Sequence, residues 1–441
     1  MSAALLEQLQ ADGMTQLWVV YHDYCGIAHG KTVPSERFAA AVTTGLGFAK
    51  ANMEFDVLDQ QVAQPVFGAN TGDFFALPDP ATYSPLPTHA GAARTYTFLT
   101  LRGGERWAGC PRTALQRVLE RYSALGLQVQ AAFEPEFHLF RRTETGYEPA
   151  DRARMYTVDG LEQQSTLLTR LIDALRTMGV TVEQGGPEYG PGQYEVNVLH
   201  AAPLRAADDL LTLKMVVRAL AREQEMIASF MPKPFTHGLG CGLHVHLGLE
   251  DAQGRNLLEG TGPAGLGDRG RAFVAGLLAH ARALCGVGAP TVNSYKRLQP
   301  GSWAPAHVCY GPGNRAALVR VPDAGSTHVE FRAGDNTSNP YLFLTALLAA
   351  GLDGMQSRLD PGAPSVDDVG HLSVEEAEKR GLVLLPRTAP EALDALEADA
   401  TIMDALGPVI GPTFLRVKRA EAATYALEVS EWERAAYLET I

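Results

Sequence analysis

Residues 131–140 read AAFEPEFHLF. The run is apolar and β-prone except for Glu134 and Glu136, which stand two apart, so on a strand both carboxylates project from one face. Like charges held that close need a cation between them. The spacing recurs in His244 and His246 of GLHVHLGL (242–249) and in Glu330 and Arg332 of HVEFRAG (328–334), and Glu188 and Glu195 bracket the Gly-rich run YGPGQY. Singly, each pair has a plainer reading, as solvated glutamates on an outer strand face or as histidines satisfied in a core. Together they predict a cluster.

The 441 residues are 46% hydrophobic and 20% charged, enough apolar surface for two or three domains around a real core. A net charge of -13 argues against a nucleic-acid or polyanion surface, although metal ions and arginines can reverse the field locally. Cys25, Cys110, Cys241, Cys285 and Cys309 are scattered and odd in number, which indicates neither a disulfide framework nor a zinc ribbon and fits a reducing cytoplasm. No signal-like N-terminus and no apolar run of membrane-spanning length is present, so a soluble chain with no membrane partner is expected.

The first hundred residues alternate short β-rich runs with turn signals and read as a small β-rich domain, 1–106. A periodic helix beginning at Pro111 opens the second unit, 107–441. Further helices are expected over 163–178, 207–230 (ended by MPKP) and 272–285. Between the last of these and 306 lies a Gly/Pro-rich segment, GAPTVNSYKRLQPGSWAP, expected to be mobile.

Glutamates at 134, 136, 188, 195 and 330 with one histidine make an oxygen-rich ligand set that suits hard divalent ions such as Mg²⁺ or Mn²⁺ rather than structural zinc. Arg297, Arg315, Arg320 and Arg332 supply guanidinium forks for carboxylates or phosphates. Carboxylates, divalent metal and arginines point to phosphate chemistry. On these residues alone an ATP-grasp or guanido-type phosphotransferase competes, but neither explains the H-x-H block.

The chain resembles the glutamine synthetase family over nearly its whole length. The matching blocks are DYCGIAHGKTVP, GDFFALPDPATYSPLP, FEPEFHLF, PEYGPGQYEV, ASFMPKPF, GLHVHLGL, NSYKRLQPG, NRAALVRVP, the long run from His328 to Met355 and that from Lys418 to Glu439. The resemblance implies an α+β chain: a β-grasp-like N-terminal domain, then a catalytic domain whose antiparallel sheet forms a funnel flanked by helices. It also implies a homo-oligomeric ring, commonly a dodecamer, in which a neighbour's N-terminal domain completes each active site.

Carried over by motif, Glu136, Glu188 and Glu195 hold one metal, and Glu134, His244 and Glu330 the other. Arg297 and Arg332 grip L-glutamate, with the backbone at Gly240 facing its amino end. Arg315 and Arg320 meet the transferring phosphate and the nucleotide, His246 lies near the ATP phosphates, and Glu183 is a nucleotide-side glutamate. The implied reaction joins the γ-carboxylate of glutamate to an amine or ammonia through γ-glutamyl phosphate, with ATP as co-substrate.

The chain departs from ammonia-using members in one region above all. Trp303 stands where they place a loop glutamate, and Ala49 where they place an ammonium-caging aspartate. Losing two anions and gaining an indole favours an alkylamine acceptor, held by cation–π and apolar contacts. Leu239, Gly248 and His328 also replace residues the family uses near glutamate and ATP. Two other readings are an ordinary glutamine synthetase in which Trp303 is loop drift, and an inactive structural or regulatory ring; the retained ligand set argues against the second.

Overall fold

The computed structural model describes residues 2–441. Two sheets organise it. The N-terminal one has six strands, ordered Ala28–Pro34, Gln16–His22, Ala92–Thr100, Asp73–Pro78, Leu46–Ala49, with Ser84–Pro85 beside Ala92–Thr100. Its central neighbours Gln16–His22 and Ala92–Thr100 run parallel and the other pairings antiparallel, and helix Phe38–Thr44 buries Phe38, Ala41 and Val42. This is the β-grasp-like arrangement expected.

The second sheet has nine strands and is antiparallel except where Tyr310–Pro312 runs parallel to Val319–Val321. Its order is Tyr310–Pro312, Val319–Val321, Val329–Phe331, Leu243–Asp251, Leu127–Thr143, Gln193–Val198, Val182–Pro187, and two short strands also pair with the long central one. Along that central strand burial alternates residue by residue: Val129, Ala131, Phe133 and Phe137 are buried, while Glu134 and Glu136 are half-buried on the other face. Period two therefore delivers both carboxylates to one side of the sheet.

Helix Pro340–Ser357 is buried nearly all round and crosses Asp268–Ala279 closely. A Cβ on Gly276 would lie 2.1 Å from the Ala350 carbonyl oxygen, and one on Gly354 as close to that of Ala272, so this crossing requires glycine on both sides. Arg112, buried at the start of helix Pro111–Ala124, ties the two halves together. It pairs with Asp79 at 2.6 Å and with buried Asp208, and lies 3.2 Å from the Tyr341 hydroxyl. Its charge is balanced on the spot, as a buried guanidinium requires.

Three expectations change. The helix expected over 207–230 is Pro203–Glu223: Glu225 turns left-handed (φ 56°), and Ile227–Ser229 becomes a strand on the central one. The helix expected over 272–285 is two, Asp268–Ala279 and Ala281–Gly288, parted at His280, whose ring bonds Asp399 at 2.6 Å and Asp353 at 3.2 Å. The NSYKR portion of the supposedly mobile segment is a short helix with Ser294, Tyr295 and Arg297 buried. Among the described residues all five cysteines are unpaired and buried, and no helix is long and apolar enough to cross a membrane.

Candidate active site

Strand register assembles the cluster. Glu134 sits directly opposite His244, and Glu136 opposite Glu195. His246, Glu330 and Arg320 stand in a row across three strands. Two glutamates face to face in a ladder repel, so the pairing of Glu136 with Glu195 calls for positive charge between them.

These residues border a cavity of about 380 Å³ lined by Glu134, Glu136, Glu188, Glu195, His244, Gly240, Arg297, Arg315, Arg320, Arg332 and Trp303, among others. Glu330, wholly buried, lies just behind it, pinned by Arg332 and by Arg320 at 3.0 Å, with His244 Nδ1 at 3.4 Å. Glu183, by contrast, is exposed and does not line the cavity.

Donor atoms of Glu134, Glu195 and His244 all lie within 4.8 Å of one another, and so do those of Glu134, His246 and Glu330. Glu134 thus belongs to both groups, and His246, expected near ATP phosphates, joins the donors. Glu136 accepts from Gln193 Nε2 and from the Gly242 backbone, each at 2.9 Å, and Glu188 accepts from the Tyr156 hydroxyl at 3.1 Å. His246 Nδ1 bonds His328 Nε2 at 3.0 Å, while its Nε2, 3.1 Å from Glu134, makes no aligned hydrogen bond.

Proton affinities follow this geometry. Burial, then Glu134, Glu136 and Glu188, push the Glu195 carboxyl up to about 9. Burial, then Glu136, push Glu188 up to about 7. Burial also works on Glu330, but Arg332 and His244 outweigh it and hold that group at about 2. Burial raises Glu134 as well, and the imidazoles of His244 and His246, 3.4 and 3.1 Å away, more than reverse it. Two acids pushed toward neutrality by burial and by neighbouring carboxylates, beside imidazoles that contact Glu134, fit hard divalent cations with oxygen-rich coordination.

The arginines line the same cavity, Arg320 and Arg332 directly beside Glu330. Arg297 is buried and donates to the carbonyls of Gly334 (3.1 Å) and Arg332 (3.3 Å). A Cβ on Gly240 would come within 2.9 Å of Arg297 Cγ and 2.5 Å of the Pro232 oxygen, so glycine is what lets this backbone approach. Arg332 Nε donates to the Arg315 carbonyl at 3.0 Å, and Arg315 is exposed to the cavity. Sequence reasoning missed Tyr156, Tyr189, Gln193 and Asn197 on these walls, and the His246–His328 contact. Gln193 and Asn197 flank Glu195 at two-residue spacing, and Asn197 donates to it at 3.1 Å, so strand alternation was the signal that could have found them; Tyr156 and Tyr189 carry no such signal.

Carboxylates able to hold cations and arginines converging on one cavity fit enzymes that transfer phosphoryl groups. Residues 3–105 match the family model described as glutamine synthetase N-terminal domain and residues 108–437 that described as glutamine synthetase, catalytic domain. This chain belongs to the glutamine synthetase family, a class of ligases that joins glutamate to an amine or to ammonia.

Its relatives include a glutamate–methylamine ligase of Methyloversatilis universalis, 37% identical over 95% of this chain and 94% of that one. A glutamine synthetase of Halobacterium salinarum is 35% identical over 99% of this chain and 96% of its own. Among solved structures, a GmaS/ADP complex superposes with a TM-score of 0.89 at 33% identity, covering 99% of both chains. An apo GmaS structure gives 0.87 at 32%.

Proposed function

We propose that this protein phosphorylates the γ-carboxylate of L-glutamate with ATP and passes the resulting γ-glutamyl group to an alkylamine. The observation that carries the acceptor is Trp303: its indole, 60% exposed, lines the cavity, and the motif resemblance assigns it to the position where ammonia-using members of the family carry a carboxylate. An indole rewards an alkyl group or an alkylammonium and offers ammonia little. The glutamate–methylamine ligase relative and the GmaS structures support the same reading.

In this reading Glu134, Glu136, Glu188, Glu195, His244 and Glu330 hold two or more Mg²⁺ or Mn²⁺ ions, with His246 beside them. Such ions supply neutralisation of the charge on the nucleotide phosphates and on the transferring phosphoryl group. Oxide is a very poor leaving group, so the carboxylate is first converted to an acyl phosphate. Arg297 and Arg332 orient glutamate, and Gly240 leaves room at its amino end. Arg315, free to reach into the cavity, stabilises the phosphoryl oxygens and then the departing phosphate; Arg320, held by Glu330, and His246 face the nucleotide side. Glu183 has no role at this cavity unless the nucleotide extends to the exposed strand edge. The loop of Gln299–Trp303 shields the acyl phosphate from water. A homo-oligomeric ring, dodecameric as in the family, and a cytoplasmic location belong to the same proposal.

Phosphate release with ATP and glutamate, compared across ammonia, methylamine, ethylamine, putrescine and ethanolamine, tests it. At least one alkylamine is expected to exceed ammonia in kcat/KM. Ammonia ahead by about tenfold or more, a gap of about 1.4 kcal/mol, overturns the acceptor assignment and leaves an ordinary glutamine synthetase.

A further inference from the structure

Three aromatic rings stand in a row on one wall of the cavity. Tyr156 and Tyr189 meet edge to face with centroids 5.8 Å apart. Tyr189 and Trp303 lie 5.5 Å apart at 33°. All three line the cavity, yet they are 61%, 40% and 60% exposed, so burial in the core does not explain their presence. Tyr156 and Trp303 also adopt left-handed backbone (φ 55° and 60°), a conformation bulky residues avoid and functional sites retain.

The middle ring differs from its neighbours. Tyr189 sits in a turn fixed on both sides, where Glu188 N donates to the Gln193 carbonyl at 2.8 Å and Gly190 N to Gln193 Oε1 at 2.9 Å. Gln193 in turn donates to Glu136. Tyr189 is thereby anchored to the carboxylate cluster, whereas Trp303 belongs to an outer loop. At the far end of the row the Tyr156 hydroxyl donates to Glu188, tying that ring to the carboxylate cluster.

We propose that Tyr189 is a specificity-determining positioning residue: wedged between Tyr156 and Trp303, it holds the indole over the cavity so that the row of rings receives the alkyl group of a small alkylamine. This rests on the alkylamine reading above and adds to it a residue and a mechanism. Aromatic faces stabilise an alkylammonium and pack on its carbon atoms, whereas ammonia has no carbon to pack. Removing the pillar lets the indole swing away and withdraws that advantage from alkylamines alone.

The test is steady-state phosphate release by the full-length protein with methylamine, ethylamine and ammonia, for wild type, Tyr189→Phe, Tyr189→Ala and Tyr189→Leu. Tyr189→Ala is expected to raise the alkylamine KM about tenfold with a smaller change in kcat, lowering the alkylamine-to-ammonia ratio of kcat/KM by about that factor. Tyr189→Phe, which keeps the ring, restores the ratio to within about twofold, and Tyr189→Leu supplies a folded ringless variant should alanine not fold. An unchanged ratio in both ringless variants, an equal loss with every amine, or a change of oligomeric state in place of a change of ratio overturns the proposal. Failure of the alkylamine reading is distinguishable, because it shows in the wild type as a preference for ammonia.

Discussion

Glu195 is where fold stability and chemistry pull hardest against each other, and replacing it with glutamine separates them. Its carboxyl is raised from 4.5 in the unfolded chain to about 9 in the fold, by burial first and then by Glu134, Glu136 and Glu188. Between those values the metal-free folded protein binds a proton that the unfolded chain has released, so stability falls as pH rises across that window. At pH 7.5 the offset spans about three units, or about 4 kcal/mol at 1.36 kcal/mol per unit; proton sharing within the coupled cluster brings the expected value nearer 2 kcal/mol. Metal-free Glu195→Gln is therefore expected to melt above metal-free wild type at pH 8, with a thermal midpoint that depends less on pH. Mn²⁺ should reverse the order, since a ligand at about a hundred times its Kd adds about 2.7 kcal/mol to the protein that binds it. The assay is thermal unfolding of the full-length protein from pH 6 to 9, with chelator or with Mn²⁺. A flat metal-free profile, or a variant that gains as much from Mn²⁺ as wild type does, refutes the reasoning.

Trp303→Glu returns an anion to the acceptor wall and should move the kcat/KM ratio toward ammonia by about tenfold or more, read by the same phosphate-release comparison. Gly240→Ala drives a methyl group against the Pro232 carbonyl and Arg297; the glutamate KM should rise by about tenfold or more while titrated ADP affinity holds. Arg112→Ala strands the buried Asp208 carboxylate between the two halves of the chain. A loss of about 3–5 kcal/mol is expected, seen as a lowered thermal midpoint, and Arg112→Met should lose less. Arg332 spends one nitrogen on Glu330 in this structure; a divalent ion that takes over Glu330 releases it, so calorimetric glutamate affinity should fall about tenfold or more when the metal is chelated.

The ligand pairs were legible because a strand has period two, and the alternation around Glu134, His244 and Glu330 shows which face each side chain takes. Register was not legible: nothing in AAFEPEFHLF says that Glu136 will stand opposite Glu195 rather than one residue away. Nor was it legible that Glu134 reaches both His244 and His246. The helix expected to run to Phe230 ends at Glu223. The prolines of MPKP drew the boundary too late, since the turn is made by a glutamate in left-handed backbone, which has no compositional signal. Tyr156 was hidden for the same reason, and Tyr189 because a turn between two glycine-rich ligands reads as spacer. Trp303 stood out from the family comparison, but its stacking partner did not.

Glu330 shows why the site reads as built for cations rather than as an accident of packing. A wholly buried carboxylate is tolerated when paired, and Glu330 has Arg320, Arg332 and His244 around it. Glu188 and Glu195, seven residues apart across the Gly-rich turn, have no guanidinium bonded to them among the described residues; their partners are Tyr156 and Asn197. Within one sheet, the fold therefore satisfies one acid completely and, three strands across, leaves two others raised toward neutrality. Structural economy alone would have paired all three or removed them. The asymmetry is explained if the unpaired acids receive their positive charge from solution, and if the arginines beside Glu330 are kept for anions that arrive with the substrates.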